Sequence, residues 1–268
     1  MSDFLHTMAS LSLERAEAAE QYTEADFDQP VVPLTLNGFD IIAEIKNRSP
    51  AEGDLATQNS DRALRAQQYV AGGAAAISVL TEPTQFSGTL EHLAEVAAAV
   101  PDTPVMRKDF LVKPIQILEA RRFGASGVLL IAAIRNDDDL REMLDCARDL
   151  DMFVLLECFD GDDLARCAAL IDNTKDQECV SRGQILIGIN TRNLRTLRVD
   201  PDRLQLLAAE LPAARCVAES GLHTAEDAAA AAGLGYRLGL VGTALMRSDD
   251  PAALVAAMRA AGSASFTA

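Results

Sequence analysis

The chain has no tryptophan, only three histidines, and 24 basic residues against 40 acidic ones in 268 positions. Each shortage removes a class of function. A net charge of −16 repels phosphate backbones and anionic lipid surfaces, so neither nucleic acid nor a membrane surface is an expected partner. Apolar runs such as Val128 to Ile131 soon meet charged residues and fall far short of the roughly 20 residues that a membrane-crossing helix needs. The opening Met1-Ser2-Asp3-Phe4 has neither a basic stretch nor a continuous apolar one, which sets the expectation of a cytoplasmic protein. His6, His92 and His223 are unlinked to any serine or cysteine nucleophile pattern, which argues against a Ser/His or Cys/His hydrolase. The cysteines, Cys146, Cys158, Cys167, Cys179 and Cys216, are odd in number and scattered, with no Cys-x-x-Cys and no histidine at ligand spacing. Reduced thiols are expected, not a disulfide framework or a zinc site. Asp137-Asp138-Asp139 opens a helical stretch, where negative charge suits the helix dipole, so it calls for no metal.

A hydrophobic fraction of 49% with 24% charged residues supplies a large core and excludes general disorder. From residue 40 onward, short segments rich in Ile, Val and Leu alternate with longer amphipathic, Ala-rich stretches, the pattern of repeated βα units. Strands are expected at 40–45, 75–80, 104–108, 127–131, 153–157, 185–189, 215–219 and 238–242. Helices are expected at 60–72, 88–99, 114–123, 136–149, 161–170, 201–210, 224–233 and 251–261. Ser60, Asn136 and Thr224 stand at N-cap positions, and Gly72, Gly124 and Gly233 at C-cap positions. Strands this apolar are buried on both faces, as in parallel sheets. Eight such units in about 220 residues fit a closed barrel of about 250 residues better than an open, doubly wound sheet. The expected architecture is a single (β/α)₈ TIM-barrel domain over 1–268, with the barrel at about 40–262 and an additional N-terminal helix at about 2–20. Segment 171–184 is polar and longer than the usual connection from helix to strand. It is expected as a loop on the face away from chemistry.

Function in this fold gathers at the C-terminal strand ends. Those positions hold Glu44 and Lys46, Thr81 and Glu82, Lys108 and Asp109, Glu157, Asn190 and Arg192, Glu219-Ser220-Gly221, and Gly242-Thr243. The opposite strand ends carry no comparable polar set. One such residue alone is commonly a solvated or salt-bridged rim residue, whereas seven strand ends in agreement mark a site. Two lysines and an arginine in an acidic protein make a local positive well for a substrate with several negative charges. Glu44, Glu157 and Glu219 interleave with them and can tune their pKa values and carry protons. Small residues after the seventh and eighth strands, Ser220-Gly221 and Gly242-Thr243, suit a phosphate held by backbone N–H groups, although either loop alone could be a tight turn. Ser49-Pro50-x-x-Gly53 adds a third flexible loop that can close on the site. His223 is expected at the surface, and Phe86 is either a pocket wall or packing.

Ile41-Ile42-Ala43-Glu44-Ile45-Lys46-Asn47-Arg48-Ser49-Pro50, Arg107-Lys108-Asp109-Phe110, Gly188-Ile189-Asn190-Thr191-Arg192-Asn193-Leu194, Glu219-Ser220-Gly221 and Val241-Gly242-Thr243-Ala244-Leu245-Met246, in that order, closely resemble the motifs of the indole-3-glycerol phosphate synthases. That family consists of TIM barrels that convert 1-(2-carboxyphenylamino)-1-deoxyribulose 5-phosphate to indole-3-glycerol phosphate, carbon dioxide and water. The resemblance implies that Lys108 is the general acid to the ribulose carbonyl. Lys46 would hold the substrate carboxylate and serve as a second acid, and Glu157 would serve the dehydration half as base or acid. It further implies that Glu44 and Asn190 orient these groups, that Arg192, Glu219, Phe110, Phe86 and Leu194 surround the substrate, and that Ser49, Ser220, Gly221, Gly242 and Thr243 bind the phosphate. No metal or cofactor is implied. The implied partner is a small phosphorylated anion, with docking to other tryptophan-pathway enzymes as the further partner class. The segment Phe4 to Glu20 is poorer in lysine than the family's extra helix. Two competing readings make different demands. A binding-only paralogue needs the phosphate loops but not the lysines and Glu157, and a phosphoribosylanthranilate isomerase calls for a cysteine base where this chain has Glu44.

Overall fold

The computed structural model describes residues 4–27, 29–49, 53–54, 61–194 and 198–266. Its centre is a closed ring of parallel strands: β1 (Asp40–Ile45), β2 (Ala76–Leu80), β3 (Val105–Lys108), β4 (Gly127–Ile131), β5 (Phe153–Cys158), β6 (Ile185–Asn190), β7 (Arg215–Glu219) and β8 (Leu238–Val241). Each strand pairs with its neighbour in sequence, and β1 closes the ring by pairing Asp40 with Leu238 of β8 and Ile42 with Ala76 of β2.

Strand side chains alternate between two faces, and both faces are dry here. Ile42, Ala76, Met106, Leu129, Leu155, Leu186, Val217 and Leu238 fill the interior of the ring. Ile41, Ile77, Val105, Val128, Val154, Ile187, Cys216 and Val241 point outward and pack under the helices. That alternation explains why the expected strands match the observed ones to within a residue at most ends. It also carries Glu44, Lys108, Glu157 and Asn190, the last inward positions of their strands, into the mouth.

The ring of helices comprises α2 (Arg62–Ala71), α4 (Leu90–Ala99), α5 (Ile115–Arg122), α6 (Asp137–Asp149), α7 (Gly161–Leu170), α9 (Arg203–Leu207), α10 (Ala225–Gly233) and α12 (Pro251–Ala264), with shorter α3 (Pro83–Phe86), α8 (Thr174–Ser181) and α11 (Thr243–Arg247) between them. Side-chain oxygens of Asp61, Thr89, Asn136 and Thr224 accept N–H groups of the first turns of α2, α4, α6 and α10. Asp61 takes the capping role expected of Ser60, which lies outside the described residues. Gly72 is the C-cap of α2, as expected, whereas Gly124 follows the C-cap Phe123 and Gly233 is the last residue of α10, capped by Leu234. The left-handed glycines are Gly73, Gly124 and Gly235, just beyond these caps.

One expectation needs correction. Segment 171–184 is not a loop: Asn173 caps α8, and Asp176 of that helix is buried against Arg141 and Asn173, with Arg148 at 3.5 Å. Its polar sequence conceals a helix because the residue that anchors it is a charged one. The N-terminal helix, expected at about 2–20, is present as α1 (Phe4–Glu17) among the described residues. It buries Leu5 and Met8 against the barrel's interior cluster. Ser12 Oγ accepts a bond from Gln116 Nε2 at 2.9 Å, and Arg15 pairs with Asp109 at 2.7 Å.

The five cysteines are all free thiols, as expected. Cys158 and Cys167 lie with their sulfurs 3.3 Å apart, unbonded, beneath α7.

Asp176→Ala leaves Arg141 and Arg148 without their buried anion. It should destabilise the fold by about 1–3 kcal/mol in urea unfolding and leave kcat unchanged, since α8 leads into the bottom of β6. A loss of kcat at full folding would contradict that placement.

Candidate active site

The strand ends enclose a cavity of about 300 Å³. Glu44, Lys46, Lys108, Glu157, Asn190, Arg192, Phe86, Phe110, Leu194, Ser220, Gly221, Gly242 and Thr243 all line it. Ser49 pairs through its backbone with Gly53 in a small hairpin at the rim; its side chain, with residues 50–52, lies outside the described residues.

The polar half is organised by one carboxylate. Glu44 and Lys46 are two residues apart on β1 and its extension, so they share the inward face, and Lys108 reaches toward them from β3. Lys46 Nζ stands 2.8 Å from Glu44 Oε1, and Lys108 Nζ stands 3.1 Å from Glu44 Oε2. Burial alone would favour the neutral acid. Lys108 and Lys46 outweigh it and hold Glu44 at about 2. For Lys108 burial again opposes the charge, and Glu44, Glu157 and Glu219 together reverse that effect, raising its pKa above the ordinary lysine value. The ammonium form of Lys108 is therefore favoured.

Across the mouth, Asn190 Oδ1 accepts the Ser220 hydroxyl at 2.8 Å and the Arg192 N–H at 2.9 Å, which turns the amide nitrogen of Asn190 into its donor side. Ser220 has φ +63° and Gly221 φ +80°. For a serine this left-handed conformation is costly, on the order of 1–3 kcal/mol, and the bond to Asn190 helps to hold it. These two residues turn the chain sharply off β7 so that backbone faces the cavity. On β8, a Cβ at Gly242 would lie 2.2 Å from Glu44 Oε1 and 2.9 Å from Lys46 Nζ. The glycine admits the ion pair as well as any ligand oxygen.

The apolar half is aromatic. Phe110 packs edge-on to Phe4 at 6.0 Å and tilts against Phe86 at 6.4 Å, and Leu129, Ile131 and Leu194 continue the wall. A strand-end survey could not find Phe4, because it stands on α1, before the barrel begins; the only signal was an aromatic at the head of a helix. His223 is exposed, as expected, but also lies on the cavity's lip.

Three strand-end residues serve elsewhere. Glu82 caps α3 by accepting from Thr84, Gln85 and Phe86. Asp109, which touches the cavity edge, accepts Thr81 Oγ1 at 2.9 Å, Arg107 at 3.2 Å and Arg15 at 2.7 Å. These carboxylates brace α1 and α3 around the mouth. Glu219, for which the resemblance implies a substrate contact, is not among the residues that line the cavity; it is 1% exposed, with Glu157 beside it. None of the four carboxylate oxygens of Glu157 and Glu219 has a hydrogen-bond partner among the described residues.

The profile of the family "Indole-3-glycerol phosphate synthase" matches residues 7–258. The chain belongs to the indole-3-glycerol phosphate synthase family. Relatives of that name include one from Nocardioides sp., 45% identical over 238 residues that cover 87% of this chain and 86% of the relative. One from Mycobacterium leprae is 41% identical over 255 residues, 95% of this chain and 88% of the relative. Among solved structures, 3-hexulose-6-phosphate synthase from Salmonella typhimurium superposes with a TM-score of 0.60 at 14% identity, covering 83% of this chain and 97% of that one. At that identity the likeness shows the barrel alone. Family membership accounts for the strand-end motifs together, since they fall on five of the eight strands and meet at one mouth.

Gly242→Ala is expected to push Glu44 and Lys46 apart as well as crowd the loop. It should therefore lower kcat as well as raise KM, by a combined factor of about 10² or more in kcat/KM. A change confined to KM would mean that the ion pair tolerates the methyl group.

Proposed function

We propose that this chain performs the family's ring closure with the residues gathered here, converting 1-(2-carboxyphenylamino)-1-deoxyribulose 5-phosphate to indole-3-glycerol phosphate, carbon dioxide and water. The observation that carries the reading is the two lysines held on one buried carboxylate between an aromatic wall and two small-residue loops. The substrate has the same three parts in the same order: an aromatic ring, a reacting carbonyl among anionic groups, and a phosphate.

The anthranilate ring rests against Phe110, Phe86 and Phe4 with Leu194, and the phosphate lies at Ser220-Gly221 and Gly242-Thr243, where backbone N–H groups suit its charge. Arg192 and Lys46 face the anionic groups. Lys108 gives a proton to the ribulose carbonyl as the aromatic carbon attacks it. Its raised pKa keeps that proton available, and the alkoxide forming on the carbonyl is more basic still, so transfer runs downhill. Glu157 handles the proton removed during water loss, with Asn190 and Glu44 fixing the donors. Holding the ring carbon close to the carbonyl supplies much of the remaining acceleration. No step in this scheme calls for a metal or organic cofactor. A protein that merely bound the phosphate would gain nothing from burying two lysines and three glutamates beneath the loops, since buried charge is expensive.

The described residues include no helix long and apolar enough to cross a membrane, and a cytoplasmic place is part of the same reading. So is docking to other enzymes of tryptophan synthesis. The exposed large apolar side chains, Leu64, Val199 and Leu206, stand on three different elements.

Lys108→Arg and Lys108→Met should both fold and both lose about 10²–10⁴-fold in kcat, because arginine keeps the charge but cannot release a proton near neutral pH. Steady-state production of indole-3-glycerol phosphate, read by its fluorescence, decides this. An arginine variant with most of the parent kcat would make the residue electrostatic and pass the acid's role to Lys46.

Thr243→Ala is expected to raise KM by about 10- to 100-fold at nearly constant kcat, since the phosphate keeps its charge through the reaction. Ser220→Ala should also lower kcat, because it releases Asn190. Inorganic phosphate at tens of millimolar should compete with substrate; absence of competition would count against this phosphate site.

A further inference from the structure

Glu219 lies behind the cavity wall because of a glycine. Residues in register on adjacent parallel strands point to the same side of the sheet. Glu157 on β5 is in register with Gly188 on β6, and Gly188 with Val217 on β7. Val217 faces the interior of the ring, so the missing side chain of Gly188 leaves a gap in an inward row beside Glu157. A Cβ on Gly188 would lie 2.0 Å from Glu219 Oε1, 3.1 Å from its carboxyl carbon and 3.0 Å from a Leu155 methyl. Glu219, at the end of β7, folds down into that gap.

We propose that Gly188 is a positioning residue of the reaction: by lacking a side chain it seats Glu219 against Glu157, and the two carboxyls there carry one proton between them. The inference rests on the reading that Glu157 handles protons during water loss. Two full negative charges side by side in a dry site repel, and none of their four oxygens has a donor. One shared proton removes the repulsion and supplies the missing hydrogen bond. The other charged groups facing Glu219 are Lys108 from β3 and Glu44 from β1, with Lys46 on the far side of Glu44. From β6 and β8 come only Gly188, Asn190 and Leu240. Lys108 cannot neutralise the pair alone, since its ammonium is engaged by Glu44 at 3.1 Å. Burial, then Glu157, hold the pKa of Glu219 well above the usual carboxylate range. In use, an O–H bond forms on the Glu157 carboxylate as it takes the proton removed from the substrate, and the O–H bond on the Glu219 carboxyl breaks as that proton passes to the Lys108 amine, which has given its own to the carbonyl oxygen. The pair then again holds one proton and Lys108 is again an ammonium.

The test is a cycle of Gly188→Ala, Glu219→Ala and the double variant, with infrared spectra of the enzyme free of substrate. At neutral pH the parent should show the carbonyl band of a protonated carboxylic acid, and both Glu219→Gln and Gly188→Ala should lose it. Gly188→Ala should cost about tenfold or more in kcat and move the alkaline limb of the kcat profile to lower pH by about one unit. In the Glu219→Ala background, where the gap is vacant, adding Gly188→Ala should change neither Tm nor kcat. The proposal is overturned if the parent lacks the band, or if Gly188→Ala lowers Tm equally with and without Glu219. The latter result would assign the glycine to Leu155 packing. Glu157→Gln with the parent kcat would instead sink the reading of Glu157 while leaving the seating of Glu219 intact.

Discussion

Glu44 receives two ammonium groups, one on each oxygen, within 3.1 Å, and the rest of the mouth is arranged around that fact. A carboxylate in so dry a place would take a proton unless cations offset its burial. Two cations so close would repel each other, and would each tend toward the neutral amine, unless a carboxylate lay between them. Neither condition can be met from one strand. β1 supplies the carboxylate and one lysine at alternate positions, β3 supplies the other lysine, and β8 must be bare at Gly242 for the group to fit. The barrel is the device that brings these strands to a common centre.

The same logic extends one layer outward. Arg107 and Asp109 flank Lys108 in sequence and point to the opposite side of the sheet. There Arg107 binds Glu119 at 2.6 Å, and Asp109 takes Arg15 of α1 at 2.7 Å. The helix that brings Phe4 to the aromatic wall is thus fastened to the residue beside Lys108, the proposed acid. A movement of α1 and a movement of β3 cannot be independent. Arginine supplies this planar, multidentate fastening from one residue.

Most of the fold was legible because its signals are local. A strand buried on both faces reads as a short apolar run, and its polar last residues mark the mouth whether or not the partner strands are known. What escaped the sequence depends on distance in three dimensions. Phe4 enters the site from a helix outside the repeat. Segment 171–184 reads as polar because α8 buries the charged Asp176 on its ion pairs and packs little more than Cys179 and Val180 into the core. Thr81, Glu82 and Asp109 have the sequence positions of site residues, yet their side chains brace α1 and α3, and only the direction of each side chain separates bracing from chemistry. Glu219 has the right strand end and the wrong depth, and the reason lies on the next strand, at Gly188.

The two lysines share Glu44 but have different neighbours beyond it, and that difference assigns their work. Lys46 Nζ lies close to Gly242, on the side of the loop proposed for phosphate, with the carboxylate's other oxygen behind it. Its charge is directed at the anionic end of the cavity. Lys108 faces Glu157 and Glu219 as well as Glu44, so a proton it gives to the substrate can be replaced from carboxyl groups already inside the barrel. A general acid must be recharged in every turnover, whereas an anion-binding cation need not be. On the proposed function, this makes the lysine with proton-carrying neighbours the acid and the lysine beside the small-residue loop the anchor. Exchanging their environments, rather than their identities, is what would exchange their roles.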